Sequence, residues 1–343
     1  MFNALHAIDG IAATLRVRWL CMPSWGILNS LGRAAHYPPR DVAAFYPATI
    51  FWEPDVRQIF ISAVISMAAT LAISAPVSAE QCPGNDQALG VSRTVEIDTQ
   101  GGPGFGFAQY KIYDFLEPGE VVLTFDDGPW PNTTPAVLDA LASHCTKATF
   151  FIIGKHAVWH PEILKKVAAA GHTIGTHTWS HANLSKGKMK GDAGKAEIEK
   201  GISATKFALG DAPSPFFRFP FLQDPKEMVS YLAERNIAIF SMDLDSFDFK
   251  HRKPEGVIKA VLDKLEKQGK GIILMHDFQK STAKAMPELL KKLKEKGYRV
   301  VHLTAKDRVV SLEQYDTEIA KEFAGPTASS RPVSSVVRTI TGN

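Results

Sequence analysis

The sequence predicts an α/β fold built on a parallel sheet, and three observations carry that prediction. Short apolar runs alternate with amphipathic segments at least six times between Gly119 and Thr304, with short connections between them. Runs such as VVLTF and GIILM are nearly continuous rather than alternating, as strands covered on both faces must be. At 45% hydrophobic over 343 residues, the chain can bury a core large enough for such a sheet.

Each element follows from its own residues. VVLTF (121–125) is expected as the first strand and PAVLDALAS (135–143) as a helix; KATFFIIG (147–154) reads as an apolar strand. PEILKKVAAAG is a helix with Pro161 in its first turn, where an N–H is dispensable, and Gly171 just past its end. HTIGTH then reads as strand, AEIEKGISATKFAL as helix, FFRFP as strand and PKEMVSYLAERN as helix. IAIFSMDLD is expected as one strand, GVIKAVLDKLEKQG as a helix, GIILMHD as a strand, KAMPELLKKLKEKG as a helix and YRVVHLT as the last strand. Alternation does not separate a barrel from an open sheet. In both, side chains at the C-terminal ends of the strands converge on one face.

The main domain is expected over 118–309. Residues 80–117, rich in Gly and polar residues apart from SRTVEID, are expected as an arm wrapped on its surface, and 310–343, which thins into PTASSRPVSS, as a flexible tail. From Arg57 the chain shows a positive charge, an uncharged apolar run from Ile59 to Ile73 and small residues ending at Ala79. That is the order of a secretory signal, with a run short for a membrane span. Residues 56–79 are therefore expected as a signal peptide, leaving an exported periplasmic or extracellular protein with no stable span. Residues 1–55 show no steady period and are expected to come from a start codon placed too early, with Val56 a candidate start; an uncleaved anchor or a genuine extension is the alternative.

Three cysteines make neither a disulfide framework nor a Cys-rich zinc site. Cys21 precedes the signal, so Cys82 and Cys145 are the candidate pair in an oxidising compartment, with two unrelated thiols the alternative. Net charge is only +3 and lysines are mixed with acids, as in KKLKEK, which argues against a nucleic-acid surface.

Polar residues recur at the strand ends. Asp126 and Asp127 in TFDDGP are adjacent like charges where a buried strand finishes, so they repel and lose hydration together. His177 and His181 in HTWSH are four apart, a weak signal alone because such spacing is common in surface loops. Joined by Asp127, they would make a three-ligand site for a divalent ion with positions left for water and substrate. A cation there removes the repulsion and frees Asp126 to act as a base. His276 could return a proton to a leaving group, its charge set by Asp245 or Asp248; a satisfied strand-end histidine is the bland alternative. Arg218, in a mostly apolar strand, needs an acidic partner, and Asp126 is a candidate.

In this order TFDDGP, HTWSH, RFPF, DSFDF and LMH resemble the five motifs of the polysaccharide deacetylases, carbohydrate esterase family four, which includes nodulation-type chitooligosaccharide deacetylases and peptidoglycan deacetylases. The resemblance runs from about Gly119 to Thr304; the first two motifs are specific, the last three short. It implies a distorted (β/α) barrel with fewer than eight complete units and its site at the strand C-terminal ends. It also implies a metal-dependent hydrolase that removes N-acetyl groups from N-acetylglucosamine-containing poly- or oligosaccharides (peptidoglycan, chitooligosaccharide or a surface polysaccharide) and releases acetate.

By motif position, Asp126 would be the base, with Arg218 orienting it, and His276 the acid, with Asp248 tuning it. Asp127, His177 and His181 would hold one divalent ion, zinc first, with cobalt, manganese or iron as alternatives. Phe221 would offer its main-chain N–H to an oxyanion, with Phe249 and Leu274 lining the substrate. Two positions depart from the family: Phe221 stands where Tyr is frequent, and Phe249 where Trp is common. Both leave substrate preference open.

Two rival readings have distinct signatures. A carbohydrate-binding homologue without turnover would bind metal but release no acetate. A His₂-carboxylate iron oxygenase would need neither the second Asp nor an acid, and the α/β alternation argues against its usual frame.

Overall fold

The computed structural model describes residues 82–323. The expected extension 1–55 with Val56 and Cys21, the signal 56–79 and the tail from 324 lie outside them. The described strands are β1 (Arg93–Ile97), β2 (Gly104–Phe105), β3 (Glu120–Asp126), β4 (Thr149–Ile152), β5 (Thr173–Thr176), β6 (Phe216–Phe217), β7 (Ala238–Phe240), β8 (Leu244–Asp245), β9 (Gly271–His276) and β10 (Arg299–Ala305). All of their pairings are parallel. The helices are α1 (Thr133–Ser143), α2 (Gly154–Trp159), α3 (Pro161–Ala169), α4 (Asp192–Leu209), α5 (Lys226–Glu234), α6 (Pro254–Gln268), α7 (Lys280–Glu295) and α8 (Glu313–Phe323).

Every residue of β3 is buried, and the sheet is organised around it. One edge pairs with β9 from Val121 to Asp126; the other is shared by β10 at its start and β4 at its end. From β4 the order runs through β5 and β6 to β7, while β8 pairs with β9. A single stretch, 238–245, pairs first with β6 and then with β9, so the chain itself carries the sheet round to its other side. The result is a distorted barrel of parallel strands that no ladder between β7 and β8 closes among the described residues.

Strand periodicity decides what enters the barrel. Leu123 and Phe125 join Val137, Leu141, Met286 and Leu289 under the outer helices, whereas Val122 joins Phe151, Phe216, Phe240 and Ile272 in a second cluster. Thr124 and Asp126 share the side of Val122, so β3 delivers Asp126 to the interior at its C-terminal mouth. Helix ends follow local chemistry: Pro161 opens α3 and Pro254 opens α6, which closes on left-handed Gly269 (φ 76°).

Four expectations need correction. The arm at 80–117 is woven into the sheet: SRTVEID supplies β1, which pairs with β10 from Arg93 opposite Val301, and β2 pairs with β7. The tail expected from 310 contains α8, whose Ile319 is buried and whose Asp316 and Glu318 pair with Lys206 and Lys200 of α4. Its amphipathic EQYDTEIAKEF is short and was masked by the Ser/Pro-rich composition beyond it. The strand expected at 237–245 divides into β7 and β8, because Asp243 between them accepts N–H groups from Phe107 and Ile272. Helix α2 was hidden in the end of KATFFIIG and the residues after it.

Cys82 and Cys145 are joined by a disulfide, Cα atoms 5.5 Å apart, so the paired reading holds over the unrelated thiols. No helix among the described residues is long and apolar enough to cross a membrane.

Candidate active site

The two adjacent aspartates are separated by backbone geometry. Asp126 ends β3 pointing inward, and Asp127 turns away with a left-handed backbone (φ 74°). His156 of α2 helps hold that conformation by donating Nδ1–H to the Asp127 carbonyl at 2.6 Å. Each carboxylate thereby faces different partners.

The loop after β5 is clamped from two helices. The N–H groups of Gly154 and Lys155 at the start of α2 donate to Thr178 O and Trp179 O, while Glu197 of α4 accepts Trp179 N–H on its carbonyl and Ser180 N–H on its carboxylate. Gly154 cannot be larger: a Cβ would lie 2.9 Å from Gly201 Cα, where α2 meets α4. His177 and His181 (φ 59°) are thus aimed at Asp127.

Asp127 Oδ1 lies 3.5 Å from His177 Nε2 and 3.4 Å from His181 Nε2. His177 Nδ1 is 2.6 Å from the Arg218 carbonyl, which can only accept, so Nδ1 holds the proton and Nε2 presents a lone pair. Burial pushes His177 down to about 3, against the opposing charge of Asp126, and lowers His181 as well. Burial also pushes Asp127 up to about 7, partly offset by His276, and its Oδ1 is buried without a hydrogen-bond partner. Three ligand atoms within 4.8 Å of one another, among them the His177 lone pair and a buried carboxylate oxygen without a hydrogen-bond partner, fit a divalent cation.

Arg218 is fully buried beneath Asp126. Its guanidinium donates to Asp126 Oδ1 at 2.8 Å, to Thr124 Oγ1 at 2.7 Å, and to the carbonyls of Ser241 at 2.8 Å and Phe240 at 3.2 Å. The face of Phe151 lies 4.3 Å away. Burial lowers the guanidinium below its ordinary value and the Asp126 charge opposes this. One Asp126 oxygen is therefore fixed by Arg218, and Oδ2 is left to the cavity.

His276 ends β9, the strand beside that of Asp126, as its register partner. Its Nδ1 lies 2.7 Å from Asp248 Oδ1, while Asp248 Oδ2 accepts the His276 N–H at 2.7 Å and the Thr282 hydroxyl at 2.6 Å. Asp248, not Asp245, is thus the partner; Asp245 lines the cavity and caps the Phe247 N–H. Burial alone would lower His276, but the hydrogen bond and charge of Asp248, with Asp127 and Asp126, raise it to about 9. Its Nε2 is 4.0 Å from Asp127 Oδ2.

These groups share one cavity of about 430 Å³, lined by Asp126, Asp127, His177, His181 and His276, and also by Phe221, Phe249 and Leu274. Arg218 and Asp248 stand behind its wall, fully buried. Asp127, His181, Phe221 and Leu222 on this lining all have left-handed backbones, a conformation costing about 1–3 kcal/mol each that surrounding structure must impose. Sequence reasoning passed over Thr124, Thr282, His156, Leu222 and Phe278. Thr124 was within reach, since strand alternation puts it beside Asp126.

A family profile described as polysaccharide deacetylase matches residues 116–239. A peptidoglycan-N-acetylglucosamine deacetylase of Listeria monocytogenes is 35% identical over 184 residues, 53% of this chain but only 37% of that protein's length. Another, of Bacillus cereus, is 33% identical over 216 residues, 60% of this chain and 77% of that protein. Among solved structures, a peptidoglycan deacetylase of Bdellovibrio bacteriovorus superposes with a TM-score of 0.56 at 36% identity, covering 63% of this chain and 59% of that one. With 77% of the Bacillus protein matched at 33% identity, and with the profile's span holding Asp126, Asp127, His177, His181 and Arg218, this chain belongs to the polysaccharide deacetylase family.

Proposed function

We propose that this protein is an exported, metal-dependent hydrolase that removes N-acetyl groups from N-acetylglucosamine-containing glycans, with peptidoglycan the first choice of substrate and zinc of metal. The observation that carries the reading is the division of labour between two adjacent carboxylates. Asp127 faces the Nε2 atoms of two histidines, while Asp126 is held by Arg218 on the strand beside that of a His276 whose pKa is raised by Asp248. The names of the relatives support peptidoglycan. Export is supported by the signal pattern at 56–79 and by the Cys82–Cys145 disulfide, which persists in oxidising compartments.

A divalent ion bound by Asp127, His177 and His181 would polarise the amide carbonyl and make a water more acidic. Asp126 Oδ2, fixed by the grip of Arg218 on Oδ1, takes the proton from the attacking water. The Phe221 main-chain N–H, presented by its left-handed turn, donates to the oxygen that gains charge. His276, its Nδ1–H held by Asp248, donates its Nε2 proton to the leaving amine. Water and amide become acetate and a free amino sugar.

The test separates chemistry from metal binding. Asp126→Asn should lower acetate release by about 10²–10⁴-fold with metal content retained, whereas His177→Ala should lose the metal. Near-normal turnover by Asp126→Asn would sink the assignment of the base.

A further inference from the structure

Four of the large apolar side chains exposed among the described residues belong to the barrel mouth and its border. Phe221 and Phe249 line the cavity; Trp130 and Trp159, 39% and 54% exposed, are outside that lining and connect to Asp127 through the ring of His156. Trp130 follows Asp127 by three residues, and Trp159 ends α2, whose His156 is bonded to Asp127. Nothing in the catalytic arrangement uses either indole.

We propose that Trp130 and Trp159, with the imidazole of His160, form a sugar-binding ledge: a subsite for a pyranose ring of the glycan strand beyond the unit being deacetylated. The occupant rests on the deacetylase reading above; the ledge rests on its own geometry.

The ledge is built on a rigid base. Trp130 N–H donates to Thr134 Oγ1 at 2.7 Å, and Thr134 N–H returns to Trp130 O at 3.1 Å. The Thr134 hydroxyl in turn donates to Asp277, and both residues are fully buried. The His156 ring lies below, 5.0 Å from Trp130 and 5.6 Å from Trp159, and His160 is 5.8 Å from Trp130. One imidazole thus touches both indoles and the main chain of Asp127, which ties the position of the ledge to that of the cleft.

A large aromatic left in water on an otherwise immobilised loop forfeits burial that folding would normally take. Held in place before binding, it loses little freedom when a ligand arrives. A pyranose suits this surface. Its C–H faces are apolar and match an indole, while its rim of hydroxyls can bond to imidazole nitrogen. A chair of fixed shape also fits two aromatics splayed about one histidine better than a flexible chain would.

The test is calorimetric titration of metal-loaded Asp126→Asn protein with N-acetylchitobiose and N-acetylchitopentaose. Trp130→Ala or Trp159→Ala, added singly, is expected to lower the pentaose-to-biose affinity ratio about tenfold, the worth of one aromatic stack. Trp130→Phe should keep most of the ratio. A ratio preserved within twofold in both alanine variants, or no measurable pentaose binding, would overturn the ledge. So would a concentration-dependent dimer that Trp159→Ala abolishes, since a second copy would then be the occupant. Acetate release by the unmutated protein is read separately. Its absence with a shifted ratio would sink the deacetylase reading and keep the ledge; its presence with an unchanged ratio would do the reverse.

Discussion

Replacing Arg218 with Met is the perturbation whose cost the structure specifies best. Arg218 is 0% exposed and Asp126 2%, so water cannot replace the lost partner. Methionine fills much of the volume over Phe151 but leaves the Asp126 carboxylate, the Thr124 hydroxyl and the Ser241 and Phe240 carbonyls without their donor. Breaking a buried pair from one side costs about 3–5 kcal/mol, mostly the penalty of a stranded charge. Arg218→Lys should also destabilise, because an ammonium cannot present donors to so many acceptors in one plane. Adding Asp126→Asn to Arg218→Met removes the stranded charge and should restore about half of the loss. Urea unfolding at neutral pH, followed by fluorescence and far-ultraviolet circular dichroism together, reads these differences. A loss under about 1 kcal/mol for Arg218→Met would place the pair among exposed ion pairs and refute the reasoning.

Three further outcomes follow from the same contacts. His276, raised to about 9, is the charged donor below that pH and loses its proton above it, so the pH profile of acetate release should fall on the alkaline side. A bound cation cancels the share due to Asp127 but not that of Asp248; Asp248→Asn should therefore move the fall to lower pH, and an unmoved limb would contradict the pairing. Burial holds His172 near 3 and His302 near 4, whereas the unfolded chain binds protons below about 6.5. With both folded values depressed, their stability is present at neutral pH and drains away as pH falls below about 6.5, by up to about 1.4 kcal/mol per unit for the buried His172 and by less for the more exposed His302. His172→Gln should flatten the pH dependence of the urea midpoint between pH 7 and 5, and an unchanged slope would refute this. The Cys82–Cys145 bridge spans 63 residues, so reduction should cost about 4 kcal/mol in urea unfolding, and a midpoint indifferent to reductant would contradict it.

What could be read before the structure divides along physical lines. Asp126, Asp127, His177, His181 and His276 were legible because charge at the end of an apolar strand is costly, and local periodicity marks where strands end. The choice between Asp245 and Asp248 was not, since both follow the same strand and only the 2.7 Å contact with His276 separates them. Thr282, which donates to Asp248, and His156, which braces Asp127, are ordinary residues of helices whose roles arise from packing across the fold. The same limit applies to β1: SRTVEID shows alternation, but its partner β10 lies some two hundred residues away, and nothing local announces the pairing. In α8 a real amphipathic pattern was present, yet short enough to be lost beside a Ser/Pro-rich stretch.

The most direct measurement is acetate release from purified peptidoglycan and from N-acetylchitopentaose by the zinc-loaded protein, before and after chelation. Release that chelator abolishes and zinc restores, faster on peptidoglycan, is the expected result. No acetate from either substrate, with zinc demonstrably bound by Asp127, His177 and His181, would contradict the account.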